Sequence, residues 1–264
     1  MTKLKLIDCN ACIGLGTVNR SITNHENYPV LEKVRQPRDA AELLEEMDFC
    51  GVEEAIVYHQ AMFDVAPDYG NKLFLADKAN YTGRLRATVT VLPSVSDDLY
   101  TPDNLARWAK QYNLAGVRAF PVQNRYLLDE VTCGDLLSYL SETRLPLYLT
   151  PYAGWEHIFA VLKEFPKLTV IVYNYGLWGS DRYFLPLVKR YERVYIDTSD
   201  YQVIDGFRNF VRRAGSERLL FGTNYPMDNM GGPIATLLSA RISDGDRENI
   251  AHRNIERLLS EVRL

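Results

Sequence analysis

Short apolar runs rich in β-branched and aromatic residues punctuate the chain, each followed by a polar stretch and then by apolar positions at helical spacing. Eight such runs predict strands: Leu4–Cys9, Ala55–His59, Ala87–Leu92, Gly116–Phe120, Pro146–Thr150, Leu168–Tyr173, Val194–Thr198 and Leu219–Gly222. The helices between them carry their own start and stop signals. Asp39-Ala-Ala-Glu42 has the form of a capping box, Leu43, Leu44 and Met47 continue it as an apolar stripe, and Gly51 closes it. Thr101-Pro102 places a cap and a first-turn proline on the next clear example. Asp135–Leu140, Trp155–Phe165, Asp181–Tyr191 and Ile204–Arg213 repeat the rhythm, and Asp244–Leu259 predicts a long final helix.

Eight strands alternating with helices, without a linker-like break, predict a single α/β domain over residues 1–264 folded as a closed (β/α)8 TIM barrel. An open doubly wound sheet is the competing arrangement, and no glycine-rich phosphate fingerprint follows any strand to support it. One interval breaks the rhythm. Residues 13–38 form a long polar connection that includes His25, and such loops in compact domains commonly serve as lids.

Composition narrows the partners. Thirty Lys+Arg against thirty-four Asp+Glu leave a net charge of −4 with both signs interspersed, which argues against nucleic acid or an anionic membrane surface. No apolar stretch is long enough to span a bilayer and the first residues lack the apolar middle of a signal peptide, so a cytoplasmic setting is expected. The four cysteines are too few for a disulfide scaffold. Cys9 and Cys12 spell C-x-x-C, but at a strand exit rather than a helix start, where an extended chain turns them to opposite faces.

In a TIM barrel the chemistry sits at the carboxyl ends of the strands, and here those ends carry a recognisable pattern. Ile7-Asp8-x-Asn10-x-Cys12 looks like a D-x-H-x-H start, and Glu45–Asp48 with Gly51–Ala55 resembles the helix and turn before a second strand. Gly70-Asn71, Gly116–Pro121, the eighth-strand Leu219–Pro226 and the closing Asn254–Leu259 complete the match. Spread from end to end, these pieces resemble the amidohydrolase-related family of metal-dependent TIM barrels, which includes hydrolases and aromatic-acid decarboxylases. The resemblance implies hydrolase or lyase ancestry, a small polar substrate at the barrel mouth and a homodimer.

The same resemblance locates the family's metal ligands, and each position holds another residue: Asn10 and Cys12 for the first-strand histidines, Thr150 or a neighbour after the fifth strand, Asn174 after the sixth, and Asn224 for the eighth-strand aspartate. Neutral amides are weak ligands for a divalent cation, and Asn224 removes the anion that would take a proton from metal-bound water. The expectation is therefore no cofactor; a zinc ion held by Cys12 with Asp8 or His59 would need an unfamiliar ligand set.

Asn10, Arg118, Thr150, Asn174, Tyr175 and Asn224 form the expected binding floor, with Asp228, His59 and Cys12 as candidates for proton transfer or nucleophilic attack. Each also has a plainer reading. Cys12 can be a small core residue, His59 a satisfied hydrogen-bond partner, Asp228 a loop cap, and Arg118 the partner of Asp197 or Asp228 rather than of a substrate anion. Two functions stay open: an enzyme of this family with a modified mechanism, and a metal-free small-molecule-binding pseudoenzyme. A relic pocket with no ligand is disfavoured, because buried unpaired amides cost about 1–3 kcal/mol each.

Overall fold

The computed structural model describes residues 4–14, 37–78, 83–94, 100–176 and 180–264. Eight parallel strands follow one another in chain order around one sheet. They are β1 (Ile7–Ile13), β2 (Glu54–His59), β3 (Leu85–Thr90), β4 (Gly116–Arg118), β5 (Leu147–Leu149), β6 (Val170–Val172), β7 (Val194–Asp197) and β8 (Leu219–Leu220). The ring closes where Cys9 N–H donates to Phe221 O and Cys12 N–H to Tyr225 O, both at 2.8 Å. The expected (β/α)8 barrel is thus the observed fold. Of the expected lid at 13–38, residues 15–36, His25 included, lie outside the described residues.

Local chemistry explains the elements. Asp39 caps the helix Ala40–Cys50 by accepting from Glu42 N–H at 3.0 Å, and Gly51 ends it in the left-handed conformation at φ 80°. Only half of the capping box forms as expected, because the Glu42 carboxylate reaches past the cap to accept from Arg38 N–H at 2.8 Å and from its guanidinium. Thr101 caps Pro102–Tyr112 as its sequence predicts.

Two departures from the sequence reading position the site. The first strand continues beyond Cys9 to Ile13, with a bulge that sets three steps from Asp8 to Ala11 against two from Ala55 to Val57. Beyond it Cys12 aligns with Tyr58 and Ile13 with His59. The expected final helix is divided into Asp244–Glu248, a π-turn at Asn249–Arg253 and Asn254–Ser260. The widening coincides with a tertiary demand: Phe221 N–H, just after β8, donates to Ile250 O at 2.9 Å, taking a helix carbonyl for the barrel. Asn254 ties the same helix to β8 by donating to Ser216 O and Leu219 O.

The barrel interior is not wholly apolar. Asp8, Asn10, Thr88, Thr90, Arg118, Asp197 and Thr223 are all buried inside or at the rim of the strand ring. Asn71, also buried, exchanges two hydrogen bonds with the backbone of Thr90 and fixes the end of β3. No helix among the described residues is long and apolar enough to cross a membrane.

Candidate active site

A cavity of about 320 Å³ opens at the carboxyl ends of the strands, walled by Tyr58, Phe63, Phe120, Tyr152 and Tyr173, with Gln60, Thr150, Asn174, Asp200 and Asn224 supplying polar groups. A larger cavity, about 970 Å³, lies at the opposite end of the barrel among Arg144, Arg193, Arg218 and Glu261. The mouth cavity is the candidate site, because the strand-end side chains converge there and barrel chemistry belongs to that face.

Its floor is organised by Arg118 at the end of β4. The guanidinium is fully buried. Nε donates to Thr88 Oγ1 at 2.9 Å and Nη1 to Asn10 Oδ1 at 3.1 Å. The guanidinium carbon lies 4.1, 4.4 and 4.8 Å from the ring centroids of Tyr58, Tyr148 and Tyr173, a cage of three cation–π contacts. Neither Asp197 nor Asp228 is its hydrogen-bond partner. Nor does the guanidinium line the cavity, so the expectation of direct substrate contact meets a side chain enclosed by rings. Asn10 likewise lies below the cavity surface.

Asp8 anchors the closure of the barrel. One oxygen accepts from Asn10 N–H at 2.9 Å and Thr223 N–H at 3.0 Å, and the other from Thr223 Oγ1 at 2.5 Å, stitching β1 to the segment after β8. Asp197, ending β7, accepts from Ser199 N–H at 2.7 Å through Oδ1. Its Oδ2 has no hydrogen-bond partner among the described residues. Burial, with Asp200 and Asp8 nearby, pushes Asp197 up to about 8. Gly222 makes room for it, since a Cβ there would fall 2.2 Å from Asp197 Oδ1.

The structure separates Cys12 from His59. Cys12 Sγ donates to Gln60 Oε1 and Ile13 O, each at 3.4 Å. His59 lies one residue out of phase, on the opposite face of its strand; its ring lies against Gly14 and Nδ1 accepts from Ala61 N–H at 3.1 Å. Burial lowers the His59 pKa. Cys12 and His59 thus make their hydrogen bonds to different partners and not to each other. Tyr175 also departs from its expected place: its hydroxyl donates to Asp197 O at 2.6 Å and its ring packs on Phe184, away from the cavity lining.

At the rim, Thr150 Oγ1 donates to Asn174 O at 3.3 Å, and Asn224 Nδ2 donates to Asp228 Oδ2 at 2.8 Å. Asn174 and Asn224 both have left-handed backbone, with φ 49° and 55°. Asparagine tolerates that region, so each residue has a conformational reason to be there as well as a chemical one. The Tyr225–Pro226 peptide that follows Asn224 is cis.

Sequence reasoning missed Asp200 and Gln60. Asp200 lines the cavity, accepts from Gly176 N–H at 3.0 Å, and has its pKa raised by burial and by the nearby Asp228. Its only sequence signal is its place three residues beyond Asp197, past the strand end.

Among the described residues, the positions assigned to metal ligands do not offer the usual donors for a divalent metal. The five positions assigned to ligands by resemblance carry three amides, a hydroxyl and a thiol, and Asn10 Oδ1 already accepts from a cation. Among the described residues no group of three or more His, Cys, Asp or Glu side chains is arranged to hold a metal ion. Asp8 spends both carboxylate oxygens on the barrel seam.

The sequence profile of the amidohydrolase family matches residues 21–260. No curated protein matches the chain. Solved structures share its fold along nearly the whole length. An uncharacterized TIM-barrel protein of Bordetella bronchiseptica is 21% identical, with TM-score 0.72 and coverage of 98% of this chain and 99% of that one. A dihydroxybenzoic acid decarboxylase from a Polaromonas species, solved with manganese and 2-nitroresorcinol, is 16% identical, with TM-score 0.77 and coverage of 98% and 97%. The 5-carboxyvanillate decarboxylase of Sphingomonas paucimobilis is 17% identical, with TM-score 0.69 and coverage of 98% and 99%. The match to the profile spans most of the sequence, from within the first long loop to the closing helix, and on that ground the chain belongs to the amidohydrolase family.

Proposed function

We propose that the protein is a hydrolase or lyase acting on a small polar substrate in the mouth cavity, without the divalent ion used elsewhere in the fold, and with proton transfer at the Asp200–Asp228 corner. The observation that carries this reading is the pairing of two carboxylates with different surroundings. Asp228 accepts a hydrogen bond from Asn224 Nδ2 at 2.8 Å. Asp200 lines the cavity, and its pKa is raised by burial and by the nearby Asp228. Two carboxyl groups in different surroundings at one cavity are the kind of pair from which acid–base catalysis is built. The family supports the hydrolase branch, and neighbours named as decarboxylases support the lyase branch; for Mn²⁺, present in the Polaromonas enzyme, no group of three or more usual ligands occurs among the described residues.

The test is turnover of a panel of small amides, lactones and carboxylic acids, assayed with EDTA throughout. Activity that survives chelation and falls by about 10²-fold or more in both Asp228→Asn and Asp200→Asn supports the assignment. Activity lost with EDTA and restored by Mn²⁺ or Zn²⁺ sinks it. Saturable binding with no turnover of any member places the chain with the metal-free binding proteins instead.

A further inference from the structure

Arg118 has an environment that the acid pair leaves unexplained. A guanidinium stays protonated at any working pH, and burying one is costly unless an anion or dense hydrogen bonding compensates. Here two neutral oxygens and three aromatic faces do so in part. Arg118 Nη2, Asn10 Nδ2 and the hydroxyls of Tyr148 and Tyr173 have no hydrogen-bond partner among the described residues. The Asn10 amide is oriented by its bond to Arg118, so its NH₂ is a genuine surplus donor. Four groups with protons to give are thus left without an acceptor, and Asn174 Oδ1 and Asp197 Oδ2 are also without a partner among the described residues. Tyr58 and Tyr173 connect this cluster to the surface, since each both stacks on the guanidinium and lines the cavity.

We propose that Arg118 is a built-in cation that does the electrostatic work of a metal ion in this barrel, making the cavity prefer a carboxylate-bearing ligand over its neutral isostere. This rests on the metal-free reading of the site above, but not on its acid–base assignment. The charge is delivered through Tyr173, which lines the cavity, stacks on the guanidinium and carries a buried neutral hydroxyl. Burial raises the Tyr173 pKa while Arg118 pulls against that rise, so the phenol remains protonated and able to donate. Arg118 is in this sense a positioning residue: it acts on the ligand through Tyr173 and Tyr58 and not by touching it.

The test is titration with benzoate and with benzamide, planar probes suited to an aromatic-walled cavity of about 320 Å³, followed calorimetrically with EDTA present. Wild type is expected to bind benzoate at least about tenfold more tightly than benzamide, and Arg118→Met to lose that preference while Arg118→Lys keeps part of it. Tyr173→Phe is expected to weaken benzoate and leave benzamide nearly unchanged. Near-ultraviolet circular dichroism checks that each variant is folded, and if Arg118→Met is not, the Tyr173→Phe arm decides alone. Equal binding of the two probes by wild type overturns the proposal, as does a benzoate preference that survives in folded Arg118→Met. A preference absent in EDTA and created by Mn²⁺ also overturns it, and defeats the metal-free reading with it. The two ideas separate in the wild type, because turnover with EDTA present reports the acid–base assignment and the benzoate preference reports Arg118.

Discussion

At the scale of single residues, Asp197 shows most clearly how burial governs chemistry. Its carboxyl is held up to about 8 by burial, far above its value in an unfolded chain. A raised folded pKa means the native state holds the proton more tightly than the unfolded state. The resulting stability is full below the unfolded pKa, near about 4, and is lost as pH rises through about 8. Urea midpoints of wild type should therefore decline from pH 5 to pH 8, whereas Asp197→Asn, which keeps an oxygen for Ser199 N–H, should show a shallower decline; parallel curves would contradict the assignment. Gly222 offers a second check. A methyl there meets Asp197 Oδ1 at 2.2 Å, so Gly222→Ala should cost about 1–3 kcal/mol in chemical denaturation. From the sequence Asp197 was visible only as a conceivable partner for Arg118, because nothing in a linear pattern reports that a carboxylate will face a glycine across a strand pair.

At the scale of elements, the β1–β2 register decides which strand-end groups meet. The bulge between Asp8 and Ala11 places Cys12 beside Tyr58 and Gln60 and leaves His59 on the other face. Cys12→Ala and His59→Ala are accordingly expected to change turnover by less than about threefold, against the loss expected of Asp228→Asn. A drop of about 10²-fold in either would restore a thiol or imidazole mechanism. Strand positions and helix caps were readable because their signals are local: alternation, Asp39, Thr101 and Gly51 sit beside the elements they define. The bulge was not readable. It depends on Asp8 accepting Asn10 N–H and also bonding Thr223, 215 positions along the chain. The π-turn at Asn249–Arg253 escaped notice for the same reason, since the carbonyl it frees is used by Phe221.

For the molecule as a whole, the barrel has two ends under different constraints. The carboxyl end keeps orphaned donors and a raised acid, whereas the amino end is tied by charge. Glu261, beyond the last helix, pairs with Arg193 at 2.7 Å and Arg144 at 3.4 Å, joining the C-terminal segment to residues just before β7 and β5. The hydrogen bond from Arg193 holds its carboxyl below the usual range. With a depressed folded pKa, its contribution is present above the unfolded value and disappears as pH falls through the folded one. Glu261→Gln should cost about 1 kcal/mol at pH 7, a fall of roughly 2–4 °C in Tm, and the gap should close in acid; an equal gap at pH 7 and pH 3 would show that charge is not the cause.

By itself the sequence determined the architecture: eight apolar runs with helical intervals leave a parallel barrel as the arrangement that buries them all, and the motifs spread along it carry the family. It also determined the chemistry of the floor, because amides at Asn10, Asn174 and Asn224 and the strand-end Arg118 are legible as residue types wherever they point. Only the tertiary structure decided their relations. That Arg118 is caged by Tyr58, Tyr148 and Tyr173, that Cys12 turns to Gln60 rather than His59, and that Asp200 joins Asp228 at the rim all follow from strand register and barrel closure. The physical reason is that local pattern fixes which face of an element is buried, while the meeting of side chains from different strands is set by long-range backbone hydrogen bonds that no short stretch of sequence contains.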